Sequence, residues 1–277
     1  MATRNWSGGA ADGNWATAGN WDTAPITGDD VIIATTNGTY PDIDSGLTTG
    51  IDLNSLTITS GFSGKIGSAS APLSIAITNG GSKKLFYAGS GEYCKITGSV
   101  VNSEVQHKVG TLYVSGGTWG TAGVHNISGR MIIEAAAVMA GTWNVNAPAI
   151  MAIAANATAI PSLITKGGVA IEITARDVTA SLQDGGTITI IGDGQLAAHV
   201  IQSGTTRLWN TGTNAAITNR GGFLTVEGSR AASSPVITLY TPWPTAREVL
   251  IYNHINATPG TTTPVGARLG TAGAVTN

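Results

Sequence analysis

Apolar and polar residues alternate along most of this chain in short runs. The runs VAIEIT, TITII, TTRLW and FLTVEG each follow a glycine, at Gly168, Gly186, Gly204 and Gly222. Alternation with a period of two predicts strands that bury one face. The four glycines stand a constant eighteen residues apart. A fixed step of that size marks a solenoid, in which each coil buries its apolar face on the next. Ile190, Leu208 and Val226 recur at the same step and are expected as an inward stack. The pattern therefore predicts an all-β fold, a parallel β-solenoid (β-helix) with coils of about 18–20 residues.

The unit continues towards the N-terminus with looser spacing. Asn54 precedes SLTIT, Pro72 precedes LSIAIT, Gly91 precedes EYCKIT, Gly110 precedes TLYVS, Gly129 precedes RMIIEA and Ala149 precedes IMAIA. A second apolar mark follows most anchors, at Phe86, Val124, Trp143, Leu163, Leu182 and Val200. Each coil thus carries at least two strands. Asn126 and Asn144, also eighteen apart, are candidates for a stacked corner ladder. An antiparallel β-sandwich also has short strands at regular spacing, but constant coil length favours the solenoid.

The period divides the chain into a Trp-rich N-terminal cap at 1–34, a solenoid at 35–228, and a C-terminal cap with an extended arm at 229–277. Trp6, Trp15 and Trp21 crowd the first segment. The open end of a solenoid exposes apolar side chains and unpaired strand edges, and large aromatics cover both. The alternative is an aromatic platform for sugars. In the last segment, Pro242 and Pro244 flank Trp243 and fix an extended turn.

Composition narrows the function. Only 11% of residues are charged and the net charge is −2, against a usual charged share of roughly a quarter. Thr, Ser, Asn and Gly must supply the polar surface. The densest basic cluster is Lys83-Lys84, so nucleic-acid binding is not expected. The lone Cys94 reads as a small apolar core residue. MATRNWSGG lacks the apolar stretch of a secretory leader, and no segment approaches a membrane span. Folding in a cytoplasm without membrane contact is the expectation, the alternative being a mature chain whose leader has been removed.

Candidate chemistry is sparse. Asp42, Asp44 and Asp52 have a spacing that binds Ca²⁺ where more oxygens converge, but they read first as solvated turns. His107 and His125, eighteen apart, are placed to stack, yet no third ligand shares their phase. Trp119 and Trp143 share a G-T-W context and read as side packing rather than an exposed track. Glycoside hydrolysis needs two carboxylates a few ångström apart. Asp177, Asp184 and Asp193, with Arg176 alongside, fall at offsets that place them on different faces. Glu172 points out if Val169, Ile171 and Ile173 point in. No catalytic group, cofactor or metal is expected.

The N-terminal pattern W…GNW…NW…P…GDDVII covers roughly 35 residues. It resembles the opening module of β-helical surface proteins of bacteria and of virion proteins of tailed phages. On the phage side the resemblance implies a capsid decoration (cement) protein, a homotrimer on the virion surface assembled in the host cytoplasm. Its partners would be the major capsid protein or other virion proteins. Contacts are then expected in the Trp-rich start and the C-terminal arm, at Trp6, Trp15, Trp21, Trp243, Arg268 and Leu269. The alternatives are a bacterial adhesin or a tail fibre or spike that binds carbohydrate, and after those a polysaccharide-degrading β-helix enzyme.

Overall fold

The computed structural model describes residues 2–44, 51–78, 84–101, 103–120, 124–134, 136–154, 159–174, 177–192, 194–210, 216–226, 236–239, 249–251 and 269–271. For 84, 124, 210, 226 and the last three stretches only the backbone is described. Among these residues there is no α-helix, and strands pair in parallel, as a β-solenoid requires. The chain forms two compact units, Met1–Trp143 and Asn144–Asn277.

In the first unit one column of strands runs through Thr3–Asn5, Asp30–Ile33, Ser55–Ile58, Lys84–Tyr87, Glu104–His107 and Val124–Ile127. A second runs through Ile51–Asp52, Leu73–Ala76, Cys94–Thr97, Thr111–Val114 and Arg130–Ile133. A third, shorter ladder joins Gly117–Trp119 to Ala137–Met139 and is extended by single bridges through Val100 to Ile77. Alternation selects the core: Val31, Ile33, Leu56, Ile58, Leu112, Val114, Met131 and Ile133 are wholly buried. Each such side chain contributes roughly 1.5–3 kcal/mol before ordering costs are subtracted.

The early coils are longer than the spacing of the anchors suggested. Val31 lies beside Leu56, and Leu56 beside Leu85. SLTIT and LSIAIT are therefore not successive rungs. They are two sides of one coil, since Leu73–Ala76 pairs with Cys94–Thr97 while Ser55–Ile58 pairs with Lys84–Tyr87. The segment between them turns Phe62 and Ile66 inward. These side chains fill core that a tight corner would leave to the strands. From Glu104 onward the step settles near the expected length, with Thr111 beside Arg130.

Between Asp177 and Val226 of the second unit the eighteen-residue step is the register itself: Val178 pairs with Leu196, Thr187 with Thr205 and Ile190 with Leu208, whereas Ile150 pairs with Ala170 and Leu224 with Val249. Ile190 and Leu208 are fully buried, and Val226 aligns with Leu208. The strands Asp177–Gly192 and Gln195–Asn210 each bend once, so that one strand serves two columns. The bends use backbone open to glycine. Gly186 has φ +69° and Gly204 φ +93°, and a Cβ on Gly204 would stand 2.5 Å from the carbonyl oxygen of Gly186. At the third corner it is Gly167, not the anchor Gly168, that has a positive φ.

Which residues face inward here departs from hydropathy. Ile160, Val178 and Leu196 are buried. Two consecutive residues then face out in each coil, at 161–162, 179–180 and 197–198. That pair inverts the alternation. Ser181, Gln183 and His199 are consequently buried, while Leu182 and Val200 are half-exposed on the outer face. Ile164, Leu182, Val200 and Thr218 align there across successive coils. Ala180, Ala198 and Ala216 form an exposed row beside them.

Candidate functional site

The polar groups inside the coils include every histidine among the described residues. Where a strand ends at a corner, backbone carbonyls turn inward and need donors. Gln183 Nε2 donates to the carbonyls of Gly186 (3.1 Å) and Thr205 (2.9 Å). Asn219 Nδ2 donates to the carbonyl of Gly222 (2.9 Å), and its Oδ1 accepts from the Gly222 N–H (2.9 Å). His107 Nε2 donates to Val109 (3.0 Å) and Gly110 (3.1 Å). Each of these side chains stands three residues before its corner glycine.

His199 joins this set through a chain of bonds with one consistent direction. Thr206 Oγ1 donates to Gln183 Oε1. It therefore accepts from His199 Nε2 (2.9 Å), and His199 Nδ1 accepts from Ser181 Oγ (2.6 Å). A hydroxyl beside an imidazole is the geometry of an activated nucleophile. Ser181 and His199 are buried, however, and every bond serves the interior. Burial holds the imidazolium form away, lowering His199 to about 3 and His107 to about 4; His125 shifts the same way. The pair is structural.

The expected stack of His107 on His125 is not formed. His107 lies beside Ile127, because the coil there is twenty residues long. His125 instead accepts the Val105 N–H at Nδ1 (3.1 Å) and donates to Gly120. Its ring packs against Trp143 at 4.5 Å. Trp119 and Trp143 are both fully buried, and each indole N–H donates to the carbonyl three residues before it. They are packing residues, as expected. Asn126 and Asn144 sit within strands rather than at corners. Asp42 and Asp52 accept backbone N–H groups, from Lys65 and Thr78. No cluster of metal-binding side chains occurs among the described residues.

The three N-terminal tryptophans are buried, which fits a cap and removes the exposed aromatic platform. Trp21 lies edge-on to Trp6 at 5.0 Å and to Trp15 at 4.6 Å, and its N–H donates to the Trp15 carbonyl. Asn20, fully buried, ties the loop together through Ala10, Asp12 and Asn14. Asp29 accepts from Arg4 (2.6 Å) and from the Ala2 N–H, which holds its carboxyl below the usual range. Trp6 and Trp15 thus each pack on Trp21, and all three offer little surface to a partner. Trp243 and Arg268 lie outside the described residues. Leu269 opens the strand Leu269–Thr271, and its side chain lies outside them too.

The surface feature with chemical content is a cleft of about 800 Å³ in the first unit. It is lined by Lys65, Glu92, Tyr93, Thr111, Tyr113 and Arg130, together with the turn at 67–69. The strands Cys94–Thr97, Thr111–Val114 and Arg130–Ile133 bury Leu112, Val114, Met131 and Ile133, so the intervening residues Tyr113 and Arg130 project outward. The rings of Tyr93 and Tyr113 lie 4.7 Å apart at 35°. Beside them Lys95 Nζ is bound to Glu134 Oε1 at 2.9 Å. Partial burial raises the Tyr93 phenol, so it remains a neutral hydroxyl. None of these lining residues stood out as a site in the sequence. The available signal was Tyr93 and Tyr113 in the outward phase of neighbouring coils, on either side of the buried Cys94 and Leu112.

No known family model, curated protein or solved structure matches this chain.

Proposed function

We propose that the chain is a non-enzymatic structural protein of a virion surface, of the capsid decoration type, acting as a homotrimer. The observation that carries this reading is the outer face of the second unit. There Leu182 and Val200 face out while Ser181, Gln183 and His199 face in. Natural surfaces rarely leave a contiguous apolar row uncovered. The row repeats at the spacing of stacked strands, about 4.8 Å. Identical rows on neighbouring copies match it rung for rung, and closed symmetry buries all of them. The rest of the molecule suits a passive role. Ladders of backbone bonds make a stiff support, the tryptophan cap covers an end, and the interior polar groups are spent on corner carbonyls.

The test is solution mass by light scattering for the wild type and for Leu182→Glu. The reading expects a trimer that falls to a monomer with unchanged circular dichroism. A wild-type monomer at high concentration contradicts the assembly. The virion placement is tested by probing purified virions with an antibody against the chain. Absence from the particle contradicts it.

A further inference from the structure

We propose that the cleft of the first unit is a binding site for an acidic saccharide, a sugar bearing a carboxylate. The proposal is independent of the assembly reading, which rests on the second unit.

Its volume, about 800 Å³, falls within the usual range for small-ligand sites, roughly 300–1,000 Å³, and has room for a short oligosaccharide. The Tyr93–Tyr113 pair presents half-exposed aromatic surface and two phenol hydroxyls. Such surface takes the apolar C–H face of a sugar ring, while the hydroxyls and Thr111 serve its polar edge.

The charges select the sugar. Lys95 is bound to Glu134 and is not available. Arg130 and Lys65, both exposed, have no ion-pair partner among the described residues. A guanidinium meets a carboxylate through two parallel hydrogen bonds, which makes Arg130 the residue that recognises the acid group. Glu92 is the one carboxylate of the lining. It accepts from sugar hydroxyls and leaves the lining with a net positive charge. An apolar peptide has no such complement here, because the lining offers aromatic faces, hydroxyls and charges but no aliphatic pocket.

The test is calorimetric titration of the full chain with oligogalacturonate and sialyllactose. Cello-oligosaccharide and lactose serve as neutral counterparts, and inorganic phosphate as an anion control. The proposal expects one acidic sugar to bind at least tenfold more tightly than its neutral counterpart. Arg130→Gln, a surface change that leaves the fold intact, should weaken that binding tenfold or more. Tyr93→Ser should weaken it similarly with unchanged circular dichroism; if Tyr93→Ser unfolds, Arg130→Gln decides alone. Arg207→Gln, on the second unit, should have no effect. Binding of neither acid, equal binding of neutral sugars, an unaffected Arg130→Gln variant, or equally tight phosphate binding would each overturn the proposal. Repeating the titration on Leu182→Glu separates it from assembly, since the cleft should bind in that variant as well.

Discussion

The two units build the same kind of coil in different ways. The first has coils of uneven length around a mainly aliphatic and aromatic interior, with Trp119, Trp143, Tyr87 and Phe62 among its largest buried side chains and His107 and His125 as buried polar groups. The second keeps an eighteen-residue step only from Val178 through Leu208 to Val226, since Ile150 stands beside Ala170 and Leu224 beside Val249, and along that stretch its interior is partly polar. Coil length and core composition are therefore separate properties. Length follows what each corner contains: a long segment with Phe62 where Leu56 stands beside Leu85, and a left-handed glycine where the step is eighteen or nineteen, as at Gly186 and at Gly110 of the first unit. Composition is set by the phase of alternation after each corner, and in the second unit that phase admits Ser181, Gln183 and His199.

The contrast is broken most strongly by emptying the apolar interior. Trp119→Ala should cost about 3–5 kcal/mol, the range for removing a buried indole. Each coil of a solenoid leans only on its neighbours, so the damage should be local. Hydrogen exchange should rise around 96–139 and stay low at 160–210; a uniform rise would contradict independent behaviour of the coils.

Acid should act through the histidines of both units. His107, held near 4, stays neutral in the folded chain, while the unfolded chain takes up its proton near 6.5. Stability is then complete above about pH 6.5 and falls as the pH drops towards 4, by about 3 kcal/mol for His107 alone. His199, held near 3, adds loss in the same direction over a wider span. Denaturant midpoints measured between pH 7 and 4.5 check this. A flat profile would mean the imidazoles are not buried neutral.

Smaller effects sharpen the account of the corners. Gly204→Ala should cost about 2–3 kcal/mol through its positive φ and the Gly186 carbonyl 2.5 Å away. Gly168→Ala, where a Cβ meets nothing within 4 Å, should change stability by less than about 0.5 kcal/mol. Thermal melts of the two variants test which glycines make the turn, and equal effects would contradict the assignment.

The sequence carried the period well and the phase poorly. Gly186, Gly204, Ile190 and Leu208 recur because backbone register must repeat where coils are equal, so the parallel solenoid was legible. The same step misled at His107 and His125, since the coil between them is twenty residues long. It misled again at LSIAIT, where a long corner places two strands in one coil. The inward turn of Gln183 and His199 was hidden because two consecutive outward residues precede Ser181 and His199, and hydropathy argues for Leu182 and Val200 instead. A sign was present in Gln183 and Asn219, each three residues before a glycine. The cleft was harder still. Tyr93, Tyr113 and Arg130 meet only through the register of three strands.

The most direct test of an inverted, partly polar interior is the state of His199 in a long-range ¹H–¹⁵N correlation spectrum, assigned with a His199→Gln variant and followed from pH 7 downwards. The account predicts a neutral ring carrying its proton on Nε2 and unchanged down to the pH at which the fold is lost. Titration of His199 near 6.5 would place the ring in solvent and contradict the account.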